Sequence, residues 1–337
     1  MLRFCRSKVS IIAFIGIVIV LLFAVFAPAL SRWDYNDQDL NRINLPPKVP
    51  VLENYGILDG TRWLTNRRVD SLEDTSRYPE GSILKVINHR MVQGVEMCDI
   101  KVDYYKYSGV EDGTYFWMGT DYLGRDLWVR MWRGARVSLL IAFISVICNV
   151  CIGIVYGSIA GYYGGKVDMI MMRIVDIIST IPLTLYVILI MQVLGAGIQS
   201  IIVALGSVYW VDMARVVRGQ ILSLKQQEFV LAAKTIGSSA TTILFDHLIP
   251  NALGSILVTI TMLIPSAIFM EAFLGYLGIG LQPPLASLGT MCNDASANLR
   301  TSPHELLIPA LMICVIMFAF NFVGDGLRDA LDPKLKK

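Results

Sequence analysis

Residues 230–251 read VLAAKTIGSSATTILFDHLIPN, a polar stretch rich in Ala, Gly, Ser and Thr that closes on Pro250. Within Ser223–Phe245 the residues Phe229, Ala232, Ala233, Ile236, Ala240 and Ile243 recur at spacings of three and four. That pattern predicts a helix with one stripe of mostly small apolar side chains. The helix is too short to cross a bilayer and too smooth to hold lipid strongly, so it suits a groove on a partner protein. Gly237 permits close contact or a break, and Pro250 is expected to end the segment by removing a backbone donor.

Long hydrophobic runs flank this stretch. The chain has 337 residues, 55% hydrophobic and 17% charged, with mean hydropathy +0.57. A soluble domain is roughly 45–50% apolar and about a quarter charged, so the composition points to a bilayer as solvent. The net charge of +2 gives no reason to expect nucleic acid. Six cysteines, several in apolar runs, do not form a secreted disulfide pattern, and Cys148-x-x-Cys151 reads as small packing residues.

A spanning helix needs about 20 mostly apolar residues. Six candidates meet this: Ile11–Leu30, Val137–Tyr162, Met169–Leu194 interrupted by Pro182, Ile198–Val217, Ala252–Phe273 and Leu306–Val323. The first is longer than a signal-peptide core and is expected to be retained, with residues 1–30 forming a tip and first helix. Lys and Arg near span ends resist translocation. With the N-terminus inside, Arg3, Arg6, Lys8, Lys166, Arg173, Arg215, Arg218, Lys225, Lys234, Arg328, Lys334, Lys336 and Lys337 fall on the inner side. The short outer segments hold Arg300 alone. Both termini and residues 230–251 are therefore expected to be cytoplasmic in a plasma-membrane protein.

The outer segment between the first two spans, 31–118, is too long for an idle loop. Alternation in Ser82–Ile87 and Val95–Ile100 predicts strands, so a small α+β extracellular insert is expected. Arg125, Arg130, Arg133 and Arg136 crowd the end of this segment, with Asp121 and Asp126 expected to offset them.

Gly153, Gly157 and Gly161 share a face of the second span, which allows another backbone to approach closely. Arg173 with Asp176, and Asp212 with Arg215, stand at i,i+3 and are expected to form local ion pairs. Glu271 sits near the outer end of the fifth span. Soluble catalytic motifs fail: Gly164-Gly165-Lys166 lacks the first glycine and the Ser/Thr of a phosphate loop, and His304-Glu305 lacks a second histidine. The chain is thus not expected to hydrolyse nucleotide, and no metal site is read.

Ala232-Ala233, three residues, Gly237 and then twelve residues to Pro250 resemble the coupling signature of permease subunits of bacterial ATP-driven (ABC) importers. The signature has an acid directly before Ala-Ala, where this chain has Leu231; Glu228 stands three residues earlier, and His247 replaces an aliphatic residue. Gly119–Asp126 (GTDYLGRD), Gly161–Asp168 (GYYGGKVD), Met172–Asp176 (MRIVD) with Ile181-Pro182, Gly275–Pro284 (GYLGIGLQPP) and Asn321–Pro333 (NFVGDGLRDALDP) are similar to the peptide and nickel branch of that family, C-type permeases above all.

The resemblance implies an all-α polytopic membrane protein with six transmembrane helices and the type I ABC importer permease core over 119–337. It implies coupling to an ATPase through a helix of about 227–244, with Glu228, Leu231, Ala232, Ala233, Gly237, Ile249 and Pro250 as its residues. It also implies a homologous second permease, two cytoplasmic ATPases that hold the ATP, and an extracellular binding protein, this chain binding no cofactor and catalysing nothing itself. Glu271 with Gln282, Pro283 and Pro284 is the candidate contact for pathway or binding protein. Substrates implied are peptides, with nickel or another small ligand as the alternative. The less favoured alternative of an ion-gradient transporter needs discontinuous helices and buried ionisable residues in matched halves, which the sequence does not show, and a membrane-anchored structural or sensory protein leaves the Ala-Ala-x-x-x-Gly helix unexplained.

Overall fold

The computed structural model describes residues 7–331. Arg3, Cys5, Arg6, Pro333, Lys334, Lys336 and Lys337, used above, lie outside the described residues. The chain divides into two compact units. One is built from the described residues up to Leu22, Ala135–Thr290 and Met312 onward; the other from Phe23–Gly134 and Met291–Leu311.

The helices, in chain order, are α1 (Lys8–Leu30), α2 (Tyr104–Tyr107), α3 (Leu127–Tyr163), α4 (Gly165–Thr180), α5 (Leu183–Leu194) and α6 (Ile198–Gly206). They continue as α7 (Trp210–Leu224), α8 (Glu228–Thr235), α9 (Ala240–Thr242), α10 (Ile249–Tyr276), α11 (Leu288–Ser296) and α12 (Pro303–Leu331). Five helical runs are long and apolar enough to cross a membrane, or six if α4 and α5, bent by 85°, make one span. The protein is a multi-pass membrane protein of the expected fold class.

The third and fourth spans are less regular than the sequence suggested. Pro182 has no N–H to continue a helix, and α4 and α5 part there. The fourth predicted span breaks at Ser207–Tyr209 into α6 and α7. The second and sixth spans run longer than predicted, as α3 and α12.

A glycine seam organises the first unit. A Cβ on Gly153 would fall 2.6 Å from Met213 Cβ, one on Gly157 would strike the Ala214 carbonyl and lie 2.9 Å from Val217 Cβ, and one on Gly161 would lie 2.9 Å from Ile221 Cβ. Each glycine is four residues from the next, as are Met213, Val217 and Ile221, so two matching helix faces meet at backbone distance. Polar groups secure the same seam. Lys225 Nζ donates to the Gly161 carbonyl at 2.8 Å, satisfying an orphan acceptor at the end of α3. Arg218 of α7 holds Asp168 of α4 bidentately through one guanidinium edge, Nε donating to Oδ1 and Nη2 to Oδ2, the latter bond being 2.6 Å. Asp212 and Arg215 pair at 3.7 Å, but Asp176 is met across the helices by Arg215, at 3.3 Å, where a local pair with Arg173 was expected.

The insert forms a three-stranded antiparallel sheet in the order β1 (Thr61–Arg68), β3 (Val95–Asp103), β2 (Ile83–Val92). Strands β2 and β3 cover the two alternating stretches; β1 was not anticipated. Gln93 and Gly94, both at positive φ, form the tight turn between β2 and β3. Cys98, Ile100 and Val102 point to a small core with Tyr78. Between them Asp99 faces the other way. Its carboxylate accepts from Asn88 Nδ2 at 2.9 Å, from the Asn66 backbone N–H at 2.9 Å and from Arg90 at 3.2 Å. Asn66 and Asn88 are both left-handed, at φ 54° and 56°, where the two edge strands shift register. One buried carboxylate thus ties a bulge in each edge strand to the central strand.

The amide of Asn88, then the Asn66 N–H, hold the Asp99 carboxyl below its ordinary 3.8. A depressed carboxylate stabilises the fold above its unfolded value and ceases to do so as pH falls through the lower folded value. Asp99→Asn is therefore expected to raise amide exchange in β1 and β2 at neutral pH, and to lose the extra exchange that the parent chain gains below about pH 4. Hydrogen-exchange mass spectrometry of the full chain against pH measures both.

Candidate functional site

The stretch of residues 225–249 links α7 to α10 in two pieces, which corrects the single helix expected over 227–244. Helix α8 stops at Thr235 because Gly237 turns left-handed at φ 87°. The Gly237 N–H donates to Lys234 O at 3.0 Å and the Ser238 N–H to Ala233 O at 3.0 Å. These are the two bonds of a glycine helix stop. Ser239 then caps the next turn, its Oγ accepting from the Thr242 N–H at 3.1 Å. Residues Ile243–Leu248 continue as a π-helical stretch directly into α10. Pro250 is the second residue of α10 and lies inside the continuous helical run Ala240–Tyr276, just after the π-helical stretch. It does not end the segment, contrary to expectation; Ile249 stands beside it as the first residue of α10.

The predicted stripe divides by burial: Ala233 and Ile243 are buried, Ala240 is half-buried, and Phe229, Ala232 and Ile236 are exposed, Ile236 to 84%. Outside the stripe, Val230, Leu244 and Leu248 also face inward, and Leu231 and Phe245 are also exposed. Leu231, at the position where the signature has an acid, belongs to this exposed apolar set. Glu228 occupies the first turn of α8, where a negative charge faces the helix N-terminus favourably.

Glu271 is completely buried, beside the hydroxyls of Ser138 and Ser287. Ser138 Oγ also accepts from the Leu288 N–H at 3.3 Å. The chain beyond α10 folds back so tightly that a Cβ on Gly275 would lie 2.8 Å from Thr290 N, and one on Gly289 2.6 Å from Ala272 Cα. Gln282, Pro283 and Pro284 are exposed on this returning loop. The structure therefore separates the expected group into a buried carboxylate and an exposed loop.

A groove missed in the sequence lies among the spans. It measures about 370 Å³ and is lined by Tyr209, Pro265, Ser266, Phe269, Met317 and Asn321. Tyr209 stands at the break between α6 and α7, and its hydroxyl donates to the Ser266 carbonyl at 3.3 Å. Ser266 and Asn321 are exposed within otherwise apolar helices. Polar groups are costly against lipid and normally face the bundle interior or a water-filled cavity. The lone Asn321 in an apolar run was the available signal.

The arginines at the start of α3 are accommodated as follows. Asp121 Oδ2 meets Arg125 Nε at 2.7 Å and Arg130 Nε at 3.3 Å, and Asp294 of α11 lies 3.7 Å from Arg130. Arg133 rests over the Tyr35 ring at 3.5 Å. Asp126 neutralises none of them: it accepts from the Trp128 N–H at 3.0 Å and from Ser31 Oγ at 3.4 Å.

A bundle of spans with a glycine seam, a two-piece linking segment and a groove carrying polar side chains describes an importer permease, and comparison with known proteins agrees. Residues 153–337 match the family described as the binding-protein-dependent transport system inner membrane component, and residues 1–47 the N-terminal TM domain of oligopeptide transport permease C. The chain belongs to this permease family. It is 42% identical over its whole length to the oligopeptide transport system permease protein OppC of Bacillus subtilis (strain 168), covering 89% of that protein. Over 98% of its length it is 38% identical to the dipeptide transport system permease protein DppC of Lactococcus lactis subsp. cremoris, covering 89% of that protein. In fold it resembles a chain of the inward-facing MetNI methionine ABC transporter, with a TM-score of 0.51 at 19% identity, over 60% of this chain and 96% of that one.

If Gly237 serves as a helix stop, the cost of replacing it is conformational, since a Cβ there would meet nothing within 4 Å. Gly237→Ala is expected to cost roughly 1–2 kcal/mol of local stability and Gly237→Asn less, because Asn tolerates the left-handed region. Amide exchange of Val230–Thr235 in the two variants tests this.

Proposed function

We propose that this chain is one permease subunit of an ATP-driven importer of peptides. The sequence relatives that span its whole length are named for oligopeptide and dipeptide transport, and this supports peptides over nickel. The groove at Tyr209, Ser266 and Asn321 is read as this chain's half of the pathway, with a homologous permease supplying the other half. Its few polar groups among apolar walls suit a solute that carries amides and varied side chains.

The observation that carries the coupling role is the exposed apolar set of residues 229–245. Phe229, Leu231, Ala232 and Ile236 sit on α8 and its C-cap, too short to enter lipid as a span, and Phe245 sits on the π-helical stretch that leads into α10. An exposed apolar patch of this kind marks a protein contact. The charge count supports a cytoplasmic side for it and for both termini, and the occupant proposed there is the groove of an ATPase subunit. Nucleotide-driven closure of two such ATPases would move the segment, and α7 and α10 with it. The binding protein would deliver peptide at the opposite face, where Gln282, Pro283 and Pro284 are the candidate contacts. Hydrolysis itself belongs to the ATPases.

Ile236→Asp puts a carboxylate into the docked face, and burying an unpaired charge costs several kcal/mol. Because Ile236 is 84% exposed here, the variant should fold and reach the membrane in normal amount. Peptide uptake in cells is expected to fall by about tenfold or more. Normal uptake, with normal assembly, would remove this contact from the mechanism.

A further inference from the structure

The second unit contains a cleft of about 810 Å³ that none of the permease roles uses. Phe23, Ala27 and Leu30, from the last turns of α1, form one wall. Tyr115, Trp117 and Trp128 supply aromatic rings, while Trp33 is already stacked on Phe116 at 5.3 Å with the Arg42 guanidinium 4.5 Å from its ring centre, and Arg32, Glu111 and Asp126 supply charge. The aromatic rings are themselves packed together: Trp128 lies 5.1 Å from Trp117 and 6.3 Å from Phe23, edge to face in both cases.

Two features of this cleft select a ligand. First, Asp126 is only 6% exposed and lines the cleft. Among the described residues no basic side chain pairs with it; its oxygens have the Trp128 N–H and the Ser31 hydroxyl. Burial pushes this carboxyl up to about 6, so near neutral pH an ionised and incompletely compensated carboxylate faces the cavity. A carboxylate among tryptophans and a tyrosine is the arrangement that binds an ammonium group, through charge and the electron-rich ring faces. Second, the wall of Phe23, Ala27 and Leu30 is the end of a membrane span, with Leu30 81% exposed. A ligand seated there meets hydrocarbon-level side chains at one end and charged groups at the other. The aromatic ring of residues fits the interfacial level of a bilayer.

We propose that this cleft binds an aminophospholipid of the phosphatidylethanolamine type. Its ammonium lies in the aromatic cage against Asp126, its phosphate pairs with Arg32, and its acyl chains run down α1 along Leu30, Ala27 and Phe23. The site carries both charges of a zwitterionic headgroup, which an anionic lipid lacking the amine cannot satisfy. A peptide amino terminus offers the same ammonium, but has no use for the apolar wall of a membrane span.

The test uses the full-length chain purified with its partner subunits, by native mass spectrometry after exchange into mixed micelles. The probes are dioleoyl-phosphatidylethanolamine, the same lipid with its amine acetylated, and dioleoyl-phosphatidylglycerol. Retention of the free-amine lipid is expected to exceed that of the other two by about tenfold, with Asp126→Asn abolishing the difference. Leu30→Trp, at an exposed position, is expected to lower retention by filling the cleft, and serves where Asp126→Asn fails to assemble. Equal retention of the acetylated lipid, or retention unchanged by Leu30→Trp, would overturn the proposal. So would displacement of the lipid by a short peptide with a free amino terminus, which would make the cleft a peptide site.

Discussion

Three glycines on one face of α3 set the position of α7, and much of the first unit follows from that approach. Met213, Val217 and Ile221 occupy the space that three side chains would need. In hydrocarbon there is no hydrophobic force to bring helices together, so contact area between close backbones must do so. Once α7 is seated, Arg218 reaches Asp168 and Lys225 reaches the end of α3. The start of the linking segment is thereby fixed at its α7 end. Its other end is fixed by the helical continuity of Ile243–Leu248 with α10. A short piece held at both ends by long helices transmits displacement, which is the property the proposed coupling needs.

The same reasoning separates rigid places from adaptable ones. The loop returning from α10 is held at backbone distance by Gly275, Gly280 and Gly289, so its base behaves as part of the bundle. The groove at Tyr209 lies where two chain irregularities meet, the break between α6 and α7 and the Pro265 position in α10. Interrupted helices at membrane depth are tolerated where they line a cavity. In the other unit, Asp99 plays the organising part, holding a bulge of each edge strand.

Much of this was legible in the chain because it depends on local periodicity. The four-residue spacing of Gly153, Gly157 and Gly161 needs no partner to be seen, and the spans follow from length and apolarity. What escaped depends on residues distant in sequence or on single backbone angles. Strand β1 was hidden because Asn66 breaks its alternation with a left-handed residue. Gly237 was read as able to permit contact or a break, and only its φ and the two hydrogen bonds around it identify a helix stop. Pro250 was misjudged because the π-helical stretch that carries the helix past the proline leaves no mark in the residue spacing. Asp121 and Asp126 are five residues apart, yet one holds two arginines and the other faces a cleft. Tyr209 comes from the break between α6 and α7, Ser266 from α10 and Asn321 from α12.

The central claim is that the exposed segment around Ile236 is the handle by which a separate ATP-driven engine moves the bundle. A single cysteine at Ile236, in a chain freed of its six native cysteines, measures this in intact cells. The account predicts disulfide or short-crosslinker adducts with the ATPase subunit, altered in yield when nucleotide is trapped, and protection from a membrane-impermeant thiol reagent. Labelling of that cysteine from outside the cell, with no ATPase adduct, would contradict it.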